Sequence, residues 1–409
     1  MRRALQIADS PGPERLLPYG RHQIDEADIA AVVAVLRSER LAHGPTVGVF
    51  ERALAAAVGA EGAAACSSGT AALHLALRAL DVGEGDVCVA PAMSFLATAT
   101  AARFCGAEVV FADVDPLTGL MTAAGLDEAM GRAGRPVKAV LPVHLGGRIC
   151  AMDEIADVAR ARGAFVVEDA CHALGGRDHA GRAVGACAAS DAAAFSFHPV
   201  KTIAAGEGGM VTCNDPDRAE RMRRLANHGV IKDIALVQDS GLSLDRDGQM
   251  NPWSYEQVEL GFNYRMNELE AALGLSQLGK LERFVRRRRA LAHLYDLMLE
   301  PLAPAVQPVR GAVGDRPSLH LYQVLIDFEG LGLDRADVMR RLAAQGIGSQ
   351  VHYIPIYRHP YFQARYGVQS LPGAEAFYDR VLALPLFPAM RNSDVERVAA
   401  ALGEAIEPG

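Results

Sequence analysis

The chain has 409 residues, of which 50% are hydrophobic and 22% charged, so roughly three quarters of the unfolded surface should be buried and a disordered polypeptide is excluded. Its formal charge of -8 opposes general polyanion binding, and nucleic acid is not expected as a partner, though a local basic pocket for phosphate remains compatible. No stretch reaches the roughly 18 uninterrupted apolar residues of a membrane span, and Arg2 and Arg3 precede no apolar run of signal-peptide length; a soluble, cytoplasmic protein is expected.

From residue 25 to residue 36, Ile29, Val32, Val33 and Leu36 recur at the three-and-four spacing of one helical face. Short β-rich runs at 87–90, 109–112, 139–143, 165–168 and 192–197 then alternate with helical stretches. Continuous apolar strands separated by helices mark a parallel sheet covered on both faces. A long helix is expected from Asn267 to about Leu299; the Arg286–Arg289 run inside it reads as a solvated face. After a proline-rich loop at 301–308 come a strand in LHLYQVLI, a helix near 334–344 and a strand at 348–353, a smaller α+β unit. The expected division is an N-terminal extension at 1–18, a large domain at 19–285 and a small C-terminal domain at 286–409.

The seven cysteines are scattered, odd in number and without a close CxxC pair, which favours reduced core thiols. No metal site is expected, because HExxH is absent and the twelve histidines show no ligand pairing. A dinucleotide-dependent oxidoreductase would need GxGxxG between strand and helix, and an α/β-hydrolase GxSxG; neither occurs.

Four segments carry chemistry. SFHPVKTIAAGEGG places Lys201 after a buried strand and before Gly206, Gly208 and Gly209. A lysine amine attacks a carbonyl only when neutral, and partial burial moves it that way; alone, the segment is equally compatible with an exposed loop lysine. CSSGTAALHLAL turns into an apolar helix whose first N–H groups suit a phosphate, or are simply capped by Ser68 or Thr70. FVVEDACHALGG ends a strand in Glu168 and Asp169, facing the crevice where α/β proteins bind ligands, or capping the next helix. Phe95 follows the strand at 87–90 and fits either an aromatic ligand or the core. Phosphate seat, stacking ring, strand-end aspartate and strand-end lysine follow one another in the order that would hold pyridoxal phosphate.

Together with GPTVGVFE, SFLATA, PVHLGG, NHG, LGFNYRMNELEAALGLSQL and VHYIPIY, these segments resemble the DegT/DnrJ/StrS group of nucleotide-sugar aminotransferases. The resemblance implies a fold type I pyridoxal-phosphate transferase, α/β, with a mixed, mostly parallel sheet in the large domain. It further implies Lys201 as the catalytic residue that forms the imine with the cofactor and shuttles the proton. Gly69, Thr70 and Ser196 would bind the phosphate, Phe95 would stack on the ring, Asp169 would pair with its nitrogen and His172 would support it. Asn263 and Arg265 would reach the cofactor phosphate of a second subunit, which implies a homodimer. His352, Tyr353 and Tyr357 form an aromatic and imidazole cluster that fits either contact with the sugar or nucleotide or packing between the domains.

The partners so implied are glutamate as amino donor and a UDP-linked 4-keto-6-deoxy sugar as acceptor. NPWSYEQVEL and GIGSQVHYIPIYRHPYF most resemble the branch that forms UDP-4-amino-4,6-dideoxy-N-acetyl-β-L-altrosamine for pseudaminic acid. GDP-perosamine-type and dTDP-amino-sugar enzymes, and a cofactor-binding sensor on the same scaffold, are the alternatives. Relatives that act as dehydratases carry histidine where Lys201 stands. Gly146 departs from the group's frequent PVHLYG, so the pocket there does not carry over. Arg21 and Arg224 are candidates for the donor carboxylate and the diphosphate.

Overall fold

A computed structural model describes residues 16–407. Seven strands form the main sheet: β1 (Gly62–Cys66), β2 (Val87–Pro91), β3 (Glu108–Ala112), β4 (Ala139–Val140), β5 (Phe165–Asp169), β6 (Ala192–Ser196) and β7 (Gly209–Cys213), in the order β1-β7-β6-β5-β4-β2-β3. β7 is antiparallel to both its neighbours and the remaining pairs are parallel. Successive strand side chains point to opposite faces, and both faces are buried. In β1, Ala64 and Cys66 join one apolar cluster while Ala63 and Ala65 join another; in β6, Ala194 and Phe195 divide the same way. Small residues let the covering helices lie close, and alanine supplies three of the five residues in both β1 and β6.

Two short strands, β8 (Val230–Ile231) and β9 (Glu256–Gln257), form a separate ribbon. A second sheet is built from β10 (Val306–Pro308), β11 (Tyr322–Ile326) and β12 (Val381–Leu384), all antiparallel, with β11 central. Tyr322, Val324 and Ile326 face a cluster shared with the helices Leu281–Leu299 and Asn392–Ile406, whereas Leu325 and Val381 face the large core. The N-terminal segment joins this sheet region: Leu17 N–H donates to the Gly346 carbonyl at 2.9 Å, and Gly348 N–H donates to the Leu17 carbonyl at 2.8 Å. Residues 1–15 of the expected extension lie outside the described residues. No described helix is long and apolar enough to cross a membrane.

Five expectations change. The helix Glu26–Leu36 forms, but it buries Asp28 and Val35 and leaves Ile29 and Leu36 exposed. Asp28 is bound by Ser276 at 2.6 Å, Gln277 at 2.7 Å and Lys280 at 2.7 Å, so a polar network replaces the apolar contact that the spacing suggested. The long helix is two, Glu268–Leu278 and Leu281–Leu299, separated at Gly279 and Lys280. The strand at 348–353 reduces to a single bridge between Gln350 and Ala383, and the proline-rich loop ends in β10.

The arginine run departs furthest. Of the four only Arg286 is exposed, near Glu282 at 4.0 Å. Arg287 reaches the Met390 carbonyl and Arg289 the Pro317 carbonyl at 2.7 Å. Arg288 is 1% exposed and donates to the carbonyls of His320 at 3.1 Å and Leu386 at 2.8 Å. Removing this donor strands two buried acceptors, so Arg288→Leu should lower unfolding stability by about 2–4 kcal/mol, measured by denaturant titration.

Candidate active site

β5 and β6 run parallel with Asp169 beside Ala194, and β6 then pairs antiparallel with β7, Ser196 opposite Gly209. Gly209 is also opposite Cys66 at the end of β1. Three strand ends and the helix Gly69–Ala79 therefore meet at one edge of the sheet, and a cleft of about 510 Å³ opens there. Gly69, Thr70, Phe95, Asp169, His172, Ser196, Lys201, His352 and Tyr353 all line it.

The helix Gly69–Ala79 is capped by Ser68, whose Oγ accepts from Ala71 N–H at 3.2 Å. That leaves the first-turn donors of Gly69 and Thr70 outside the helix's own ladder. A Cβ on Gly69 would lie 2.8 Å from Ser196 Cβ and 3.1 Å from Cys171 Sγ, so only glycine lets the helix start against the end of β6. Capping and phosphate seating, alternatives in the sequence, are compatible here because Ser68 does the first and leaves Gly69 and Thr70 available for the second.

Glu168 and Asp169 separate by the alternation of the strand. Glu168 turns away from the cleft to His144, at 2.9 Å, and Ser190. Asp169 is 6% exposed; its Oδ2 accepts from Thr98 Oγ1 at 2.6 Å and its Oδ1 from Cys171 N–H at 3.2 Å. Burial pulls the Lys201 ammonium below the usual lysine value, opposed by the nearby Asp169 carboxylate. The lowering thus comes from desolvation, rather than from a surrounding positive charge.

His172 Nδ1 accepts from Gly146 N–H at 3.2 Å, and burial first, then the Lys201 charge, holds the ring well below the ordinary histidine value. The neutral ring therefore carries its proton on Nε2 and donates to Tyr353 Oη at 3.3 Å. Gly146 has φ +68, and a Cβ there would lie 2.5 Å from Arg148 Nη1 and 2.6 Å from Gln323 Oε1. The departure at this position is thus matched by a buried Arg148–Gln323 hydrogen bond of 2.7 Å. His352 is lowered to about 4 by burial and by Lys201, and its Nδ1 has no hydrogen-bond partner among the described residues.

Phe95 is 55% exposed and its ring centroid lies 5.8 Å from that of Tyr353; it is cleft wall, and the alternative of core packing is excluded. Asn263 and Arg265 do not line the cleft; Arg265 donates to Asn227 at 2.8 Å. Nor do Arg21 or Arg224, and Arg224 is paired with Glu259 at 2.7 Å. Tyr357 is buried against Phe111 and bonds Glu375, a packing role. Sequence reasoning missed Tyr19, Ser94, Cys171, His198 and His359, which also line the cleft. Tyr19 arrives from the N-terminal segment and sits 5.3 Å from the His352 ring, a long-range contact with no local signal.

A family model for DegT/DnrJ/EryC1/StrS aminotransferases matches residues 22–403. The chain belongs to this family of sugar aminotransferases, whose cofactor is pyridoxal phosphate. It is 37% identical over 394 residues to the spore coat polysaccharide biosynthesis protein SpsC of Bacillus subtilis, covering 96% of this chain and 97% of the relative. Helicobacter pylori PseC, an aminotransferase of pseudaminic acid biosynthesis, superposes with a TM-score of 0.85 at 27% identity over 96% of this chain and 99% of its own. DesI, solved in the presence of its TDP-sugar product, gives 0.82 at 32% identity over 97% and 94%.

The lowered Lys201 predicts that apoprotein captures added pyridoxal phosphate through the neutral amine. The capture rate should rise with pH and reach half its maximum below the ordinary lysine value of 10.5, as followed by stopped-flow absorbance.

Proposed function

We propose that the protein is a pyridoxal-phosphate-dependent aminotransferase that moves an amino group from glutamate to carbon 4 of a UDP-linked 4-keto-6-deoxy sugar, the step that yields UDP-4-amino-4,6-dideoxy-N-acetyl-β-L-altrosamine. The observation that carries the cofactor part is the convergence of Lys201, Asp169 and the Gly69–Thr70 helix start on one cleft. The cradle fits the group: glycine is required at Gly69 beside Ser196, and the buried His352 Nδ1 is left for a polar ligand.

When bound, pyridoxal phosphate supplies a carbonyl that accepts amines and a ring that draws electrons from the carbon next to nitrogen. In this reading Gly69, Thr70 and Ser196 donate to the phosphate, at the positive end of a helix. Phe95 covers one face of the ring and His172, held neutral, supports it. Asp169 would accept a hydrogen bond from the protonated ring nitrogen and so keep that nitrogen charged. Lys201 holds the cofactor in the resting enzyme, and its amine, biased toward neutrality by burial, takes a proton from the donor carbon and returns one to the acceptor carbon.

His352 and Tyr353 enter from the second sheet's side and contact the acceptor sugar. Asn263 and Arg265 lie away from their own cleft and serve the cofactor phosphate of a second copy in a homodimer. The division at residue 285 separates the cofactor-bearing body from the one that brings His352 and Tyr353.

The acceptor assignment rests on the NPWSYEQVEL and VHYIPIY segments and the likeness to PseC. The higher identities to SpsC and to DesI favour a second reading, a different nucleotide or sugar on the same chemistry.

Lys201→Ala should abolish both the visible absorbance of bound cofactor and turnover while leaving the fold, judged by circular dichroism. Asp169→Asn should keep cofactor but lose orders of magnitude in rate, because the ring nitrogen loses its charged partner. The acceptor is settled by incubating enzyme and glutamate with UDP-, GDP- and dTDP-linked 4-keto sugars and measuring 2-oxoglutarate by mass. We expect product with the UDP sugar; product with only another nucleotide transfers the assignment to the second reading.

A further inference from the structure

Two buried hydroxyls in SFLATA stand beside the cleft. Thr98 is fully buried and Ser94 is 2% exposed. Thr98 Oγ1 donates to Asp169 Oδ2 at 2.6 Å, and a hydroxyl has one proton. Ser94 Oγ, 2.6 Å from Thr98 Oγ1, is therefore the donor in the second bond. The chain of donors runs Ser94 to Thr98 to Asp169, with Ser94 on the cleft wall and Thr98 behind it. Thr98 is the second residue of the helix Ala97–Phe104, and Ser94 lies in the bend that precedes it.

The other carboxylate oxygen accepts Cys171 N–H at 3.2 Å. One oxygen is thus fixed by a short hydroxyl bond and the other by a longer backbone bond, and between them they set the plane of the carboxylate. Lys201, Cys171 and Tyr353 are the titratable groups in electrostatic reach of Asp169.

We infer that Thr98, backed by Ser94, is a positioning residue that aims the Asp169 carboxylate at the ring nitrogen of the cofactor. The inference rests on the cofactor reading above and adds two residues that do not share its assigned contacts. Without Thr98 a buried carboxylate oxygen loses its donor, and only the longer Cys171 N–H bond is left to set the carboxylate plane.

The test is the affinity of cofactor-stripped, full-length protein for pyridoxal phosphate, measured by absorbance titration, together with kcat and KM for the acceptor. Thr98→Val, which keeps the shape, should weaken cofactor binding by about tenfold to a hundredfold, the worth of a hydrogen bond to a charged group. It should lower kcat with little change in acceptor KM. Thr98→Ser, which restores the hydroxyl, should return affinity and kcat close to the wild type. Ser94→Ala should weaken binding by about twofold to tenfold.

Wild-type affinity in Thr98→Val, or a Thr98→Ser variant as weak as the valine one, would overturn the inference. If Thr98→Val does not fold, an unchanged Ser94→Ala affinity overturns it and a weakened one supports it. Failure of the wild-type chain to bind pyridoxal phosphate would instead overturn the cofactor reading itself, and this inference with it.

Discussion

The register of β5, β6 and β7 is the constraint on which the site depends. With Asp169 beside Ala194 and Ser196 opposite Gly209, an acid and a lysine-bearing loop leave the sheet at the same edge. Parallel strands bring their C-terminal ends together by construction, and α/β proteins use that edge for ligands. A slip of one residue would turn Asp169 to the Glu168 side, where His144 and Ser190 wait. The alternation therefore sorts two adjacent carboxylates into unlike tasks, one structural and one facing the cleft.

Burial supplies the second half of the argument. The same low-polarity setting that favours a neutral Lys201 also keeps His172 and His352 uncharged. In each histidine desolvation is the leading cause and the Lys201 charge follows it. Three side chains that would compete for protons in water thus become distinct in the cleft: an amine tilted toward neutrality, an imidazole with a fixed tautomer, and a second imidazole with an open nitrogen.

Much of this was legible in the sequence. The five expected strands of the large sheet appear within a residue or so at most ends, because continuous apolar runs bounded by turn residues admit few other fates. β4 is the exception, since only Ala139 and Val140 keep ladder pairing before the chain bends toward His144. Nine of the nominated residues do share one cleft; Gly69, Asp169 and Ser196 are placed there as the ends of their own elements. What escaped was long-range and polar. Helical spacing at Ile29 and Leu36 said nothing of the Asp28 network, since a buried acid with three donors competes well with a thin apolar stripe. The arginine run looked solvated because a count of charges does not reveal carbonyls awaiting donors in another segment. Tyr19 was invisible because its place depends on residues more than 300 positions later.

That last contact bears on how the molecule is made. Leu17 is tied to Gly346 and Gly348, and Tyr19 accepts from Leu386 N–H at 3.0 Å. A ribosome delivers these partners more than 300 residues apart, so the wall formed by Tyr19, His352 and Tyr353 is missing until the later ones are made. The main sheet is complete in sequence by Cys213, which leaves a long interval in which Lys201 and Asp169 have emerged while one side of their enclosure is still unsynthesised. Full enclosure of the cleft thus waits on residues 346–386, and a strap made early is fastened late.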